Sequence, residues 1–245
     1  MSEGIDSTKC PMFGRRGTGP LLRAGVYWSI AALAAMLALS ACGGSVDGNE
    51  STKINGSVHV PAGKPAGVAA TVNGAIHVDD NAAVTSATTV NGSVHLGDHA
   101  TAGSLSSVNG AVAIGKGAHV SGSVSSVNGE LTLGDGADVS GSLSNVNGEI
   151  SLTAAHVGGG IKTANANMKI TGASRVEGGI LVQKPSTGLV HMGQDVPRIV
   201  IGPGAAVQGE LRFERPVQLY VSDKATIGTV TGATPIPFSG ENPPN

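Results

Sequence analysis

The apolar residues of this chain recur in a short, regular rhythm. In VNGELTLGDGADVSGSLSN (residues 127–145) they fall at Val127, Leu131, Leu133, Ala137, Val139 and Leu143, and Val146 opens the next copy. A gap of two puts both members of a pair, such as Leu131 and Leu133, on one face of a strand. The gap of three between Leu143 and Val146 predicts a bulge or corner. A helix would demand spacings of three and four without the recurring gaps of two, and this much glycine would weaken it. The pattern therefore predicts three short strands per copy, joined by glycine-rich bends.

The copies are marked by Asn-Gly at Asn55, Asn73, Asn91, Asn109, Asn128 and Asn147, with a worn copy at Asn165-Ala166; the steps are 18 or 19 residues. One copy cannot bury its own apolar face, so successive copies must stack. The fold class expected is all-β: a parallel β-helix, or solenoid, with three short strands per coil of 18–19 residues and a right-handed wind. About nine coils at ~4.8 Å would make a rod roughly 40 Å long. Asn-Gly at a corner suits a bend with φ > 0. The seven asparagines would then lie above one another as a structural ladder of amides.

The rhythm divides the chain. Coils run from 53 to 182, a loop from 183 to 197, and further coils with a C-terminal cap from 198 to 234. The proline-rich residues 235–245 read as a disordered tail. Phe213, Tyr220 and Phe238, the aromatics of this last third, read as cap and terminal core.

The first forty-one residues follow another logic. Arg15, Arg16 and Arg23 precede an apolar run from Val26 to Leu39. That run has the length of a signal-peptide core and is short for a bilayer of ~30 Å. It ends in Leu39-Ser40-Ala41-Cys42, which resembles a bacterial lipobox. The resemblance implies cleavage before Cys42, a diacylglyceryl thioether and an amide-linked acyl chain such as palmitate on that residue, and stable anchoring by several chains. Residues 42–52 then form a lipidated end and a flexible tether. Gly43 stands where an inner-membrane retention signal has Asp, which favours the outer membrane, with the rod facing the periplasm.

Composition narrows the function classes. The 245 residues include 38 glycines, 2% aromatics and 13% charged residues, with net charge −2. Loss of Lys9, Arg15, Arg16, Arg23, Glu3 and Asp6 with the leader takes the remainder to −4. No basic field is available for nucleic acid. Two cysteines, one of them in the leader, exclude a disulfide framework.

The segments IGKGAHVSGSV (residues 114–124), LGDGADVSGSL (133–143) and IGPGAAVQGEL (201–211) resemble the bactofilins, bacterial cytoskeletal proteins that polymerise as β-helices. The likeness spans most of 53–230 and implies a solenoid able to self-associate. The export signal and the bulky C-terminal segment depart from that family. The pattern also resembles hexapeptide-repeat left-handed β-helices, through Val90, Leu96, Ala102, Val108, Ile114 and Val120 at six-residue steps. That second likeness implies an acyltransferase, or a zinc enzyme of the gamma carbonic anhydrase kind.

Histidine is the candidate for chemistry. His59, His77 and His95 occupy one outward position in three successive coils, and later coils carry Ala113, Thr132, Ser151 and Lys169 there. The reading adopted is a solvated polar column copied by repeat duplication, with no metal and no cofactor. Were a divalent ion bound, these three histidines would be its ligands. His95, His99 and His119 loosely imitate a zinc triad, and Glu130 and Glu149 stack one coil apart, read as two solvated carboxylates. No catalytic residue is assigned. The function expected is a non-catalytic scaffold or interaction role at the membrane, with self-association or envelope proteins as partners and no nucleic acid. The alternative is a metal-dependent envelope enzyme using the surface histidines.

Overall fold

The computed structural model describes residues 51–184 and 196–243. The leader, Cys42 and most of the expected 183–197 loop lie outside them. Every regular element among the described residues is a β-strand. All pair in parallel into a solenoid of about ten turns with roughly 18 residues per coil.

Each coil has three faces. The first ends at asparagine, as in Val124–Asn128. The second holds three-residue strands such as Val58–Val60, Ile76–Val78, Val94–Leu96, Val112–Ile114 and Leu131–Leu133. The third holds two-residue strands such as His119–Val120, Asp138–Val139 and His156–Val157. In earlier coils the third face runs straight into the next first face, giving the nine-residue strands Ala83–Asn91 and Thr101–Asn109. Ten coils at ~4.8 Å stack to roughly 45 Å.

The interior is made of vertical columns. On the second face Ile76, Val94, Val112, Leu131, Ile150, Met168, Ile199 and Leu219 follow one another, all essentially without solvent contact. Ala82, Ala100, Ala118, Ala137, Ala155, Ser174 and Ala205 fill the next corner with small buried side chains. A sixth column differs from the sequence reading. Thr71, Thr89, Ser107, Ser126 and Asn145 point inward, while Val72, Val90, Val108, Val127 and Val146 are half-buried on the opposite side of the same strands. Strand alternation simply continues from Leu143 to Asn145, so the expected bulge before Val146 is not formed. Two members of the six-residue series, Val90 and Val108, likewise do not enter the core.

Burial of these polar side chains is tolerated because each has a partner in the coil beneath. The hydroxyls of Thr71, Thr89 and Ser107 donate to the carbonyls of Gly56, Gly74 and Gly92 at 3.0, 2.9 and 2.9 Å. Asn145 Nδ2 does the same to Gly129 at 2.9 Å. From Val182 to Phe213 the column turns apolar.

The positive φ expected at the Asn-Gly corner is found at Gly56 (108°) and Gly148 (122°). Gly74, Gly92, Gly110 and Gly129 do not have positive φ; their lack of a side chain serves close approach between coils. A second and more regular positive-φ position is the corner before the alanine column. It is occupied by Asn81 (56°), His99 (55°), Gly117 (61°), Gly136 (70°) and Ala154 (48°).

The stack is interrupted once. Met168 pairs with Ile199, 31 residues on, so the extra chain leaves between the strands Ile180–Val182 and Arg198–Ile201. The last coil corrects the expectation of a disordered 235–245 tail, because Ile236–Phe238 is a strand paired with Gln218–Ser222. Burial of Phe238 drives this. The strand lies at the edge, where Pro237 needs no ladder N–H.

Candidate functional site

Three side-chain columns and one groove carry the polar chemistry of the solenoid. On the corner after the first face, Asn73 Nδ2 donates to Asn55 Oδ1 at 3.0 Å, and Asn91, Asn109, Asn128, Asn147 and Asn165 continue the chain at 2.8–3.0 Å. Every amide points the same way, so the ladder is polar, with an acceptor oxygen at its upper end. Arg215 reaches that end: its guanidinium donates to Asn165 Oδ1 and to the Ala164 carbonyl. A cation belongs at the oxygen-terminated end of aligned dipoles. Sequence reasoning passed over Arg215 because it lies fifty residues from its partner, in a bend.

On the second face His59 pairs with His77 and His77 with His95. Their rings stack at centroid distances of 5.8 and 4.7 Å, within 11° of parallel. Asp79 lies beside them, two residues after His77 on the same side of the chain. Its Oδ2 is 3.2 Å from His59 Nε2 and its Oδ1 is 3.2 Å from His77 Nε2. All three side chains keep contact with solvent. Above His95 the column runs through Ala113, Thr132, Ser151 and Lys169.

The third face carries a column the sequence reading did not single out. His119, Asp138, His156 and Arg175 stand on successive rungs. Asp138 accepts from both neighbours, at 2.6 Å from His119 Nδ1 and in a short contact with His156 Nδ1. His156 Nε2 lies 3.4 Å from Glu177, and Arg175 Nε 3.6 Å from the same oxygen. The hydrogen bond to Asp138 raises the His156 pKa above the usual histidine range against an opposing burial cost, with the Asp138 charge and Glu177 adding to the rise. Burial pushes the Asp138 carboxyl up, but the hydrogen bonds and charges of His156 and His119 outweigh it and hold it below the usual aspartate range. The signal in the sequence was the spacing of 19 and 18 between unlike residues, which a search for repeated identities passes over.

The imitation of a zinc triad dissolves in the structure. His95 is on the second face, His99 on the positive-φ corner and His119 on the third face. Glu130 accepts from its coil neighbour Thr132 at 2.7 Å, and Glu149 turns toward a groove. That groove, about 470 Å³, is open and lined by Glu149, Asn167, Lys169, Arg198, Asn242 and Pro243 among others. Arg198 packs its guanidinium 4.8 Å from the centre of the Tyr220 ring.

Among the described residues no three His, Cys, Asp or Glu side chains are gathered as a metal centre, and no helix is long and apolar enough to cross a membrane. Comparisons with protein-family models, curated proteins and solved structures gave no match.

Proposed function

We propose that the chain is a lipid-anchored envelope protein whose solenoid is a non-catalytic scaffold, presenting long flat faces to a partner or to a second copy. The observation that carries this is the unbroken register of its rungs. From Asn55 to Asn165 the coils repeat without a break, so side chains form straight columns and the stack is stiff along its axis. Such a rod suits multivalent contact better than substrate enclosure.

The lipobox sequence Leu39-Ser40-Ala41-Cys42 supports cleavage and acylation at Cys42, about ten residues before the first strand. Gly43 supports retention at the outer membrane. The bactofilin-like motifs support self-association as one mode of contact. The finer identity rests on that resemblance and on the solenoid together.

Two measurements on the full-length protein in intact cells test the proposal. Radiolabelled palmitate should enter the wild type and not Cys42→Ser, and only the wild type should sediment with membranes. Cross-linking in intact envelopes should capture a second copy or a fixed envelope protein in the wild type and lose it in Cys42→Ser. Equal membrane association and unlabelled protein in both forms would end the anchor reading. Absence of any cross-linked species in the anchored wild type would end the scaffold reading.

A further inference from the structure

We propose that Asn55 is a chemical modification site, the one asparagine of the ladder that deamidates while the protein is folded. Asn-Gly is the sequence in which this reaction is easiest, because glycine has no β-carbon to shield its backbone nitrogen. The Gly56 nitrogen attacks Asn55 Cγ and gives up its proton. A five-membered succinimide closes as the Cγ–Nδ2 bond breaks, and ammonia leaves carrying that proton. Water then opens the ring at either carbonyl, so the net change is amide plus water to aspartate or isoaspartate plus ammonia. Asn-Gly occurs at six corners of the ladder, each preceded by Ile or Val. Sequence alone therefore makes them equivalent, and the fold decides which one reacts.

Inside the ladder both ends of every amide are held. Asn73, Asn91, Asn109, Asn128 and Asn147 each donate from Nδ2 to the asparagine beneath and accept at Oδ1 from the one above. Turning Cγ toward the following nitrogen breaks both bonds there, and loss of Nδ2 removes one permanently. Asn55 is the lowest member. Its Oδ1 accepts from Asn73, but among the described residues no rung lies beneath to receive its Nδ2. The leaving nitrogen is thus unheld, and the product carboxylate still offers Asn73 an oxygen.

The backbone around Asn55 is equally open. Residues 53–57 are all exposed, whereas Gly74, Gly92, Gly110 and Gly129 are half-buried. A β-carbon on any of those four glycines would meet a carbonyl of the coil beneath at 2.0–2.3 Å, while on Gly56 the nearest atom is 4.0 Å away, on Lys53. The Gly56 N–H does donate to the Asn73 carbonyl at 2.9 Å. Attack therefore waits for local opening, which an end coil undergoes at far less cost than an internal one. Asn147 is the internal comparison: Gly148 shares the positive φ and the exposure, yet the amide of Asn147 is held on both sides. The consequence of reaction falls on the first rung. Isoaspartate adds a backbone carbon, so Ser51–Asn55 would lose its register with 69–73.

Peptide mapping by mass spectrometry, on full-length protein held in detergent and heavy-oxygen water at mildly alkaline pH, tests the site. Label should enter Asn55 about tenfold faster than any of the five asparagines above it, the effect of one unheld hydrogen bond on a rate. In urea the six corners should label at similar rates. Methylation by an isoaspartate-specific methyltransferase should mark the same peptide. Asn55→Ala leaves Asn73 as the lowest member with an unheld Nδ2, and its labelling should rise several-fold with circular dichroism unchanged. Folded protein that labels all six corners alike, or Asn147 first, would overturn the proposal. So would a preference for Asn55 that persists in urea, or no rise at Asn73 in Asn55→Ala.

Discussion

A β-carbon on Gly92 would lie 2.0 Å from the carbonyl oxygen of Gly74, and one on Gly110 would lie 2.1 Å from that of Gly92. The Asn-Gly corner is therefore a place where backbones of successive coils nearly touch, and glycine is the residue that lets them. Gly63 is a different case: it has φ +67° and nothing within 4 Å of an added β-carbon. Gly92→Ala must push whole coils apart and should cost about 3 kcal/mol. Gly63→Ala should cost only the left-handed penalty of about 1–2 kcal/mol. Urea denaturation of the two variants checks this order, and an equal loss would refute the distinction. The asparagine beside each such glycine contributes through its amide. Asn109→Asp keeps the acceptor for Asn128 but sets a carboxylate oxygen against Asn91 Oδ1 where an N–H now donates. A loss of about 1–2 kcal/mol is expected by the same measurement, whereas a neutral result would mean the ladder contributes no stability.

At the scale of the strand, alternation and register were legible in the sequence, and partner chemistry was not. The apolar pairs such as Leu131/Leu133 announced their faces, and the Asn-Gly steps fixed which residues stack. Ser126 and Asn145 escaped because polarity argued for the surface, while their partners, the carbonyls of Gly110 and Gly129, belong to another coil. Arg215 and the His119–Asp138–His156 column escaped for a similar reason, since unlike residues met through stacking leave no repeated letter. That column makes a pH prediction. With its pKa raised, His156 contributes stability that is complete below about pH 6.5, the unfolded value, and lost as pH climbs through the folded value. Asp138, with its pKa lowered, contributes stability that is complete above about pH 4 and lost as pH falls through its folded value. Both contributions coexist between those limits. Because these side chains are more than a third exposed, solvent screening confines the effect to about 1 kcal/mol or less. Thermal melts should show the wild type exceeding Asp138→Asn most near pH 5–6, the margin shrinking toward pH 8. A margin that grows toward pH 8 would contradict the pairing.

For the whole molecule, a parallel solenoid has two exposed sheet ends, and each is an invitation to add another strand. The C-terminal end is closed by Ile236–Phe238, an edge strand carrying Pro237 and flanked by Pro235. Proline cannot donate to a further ladder, so this end resists elongation. Beneath it, Gln218–Ser222 includes Leu219, which has no solvent contact. Removing residues 235–245 would bare that strand as an unblocked edge bearing ladder donors and acceptors. Sedimentation velocity should then show concentration-dependent association of the truncated chain well beyond that of the full chain. If both sediment alike, the terminal strand is not what limits growth at that end. Association confined to the truncated form would place natural contacts of the rod on its faces or at its N-terminal end, where the histidine column stands.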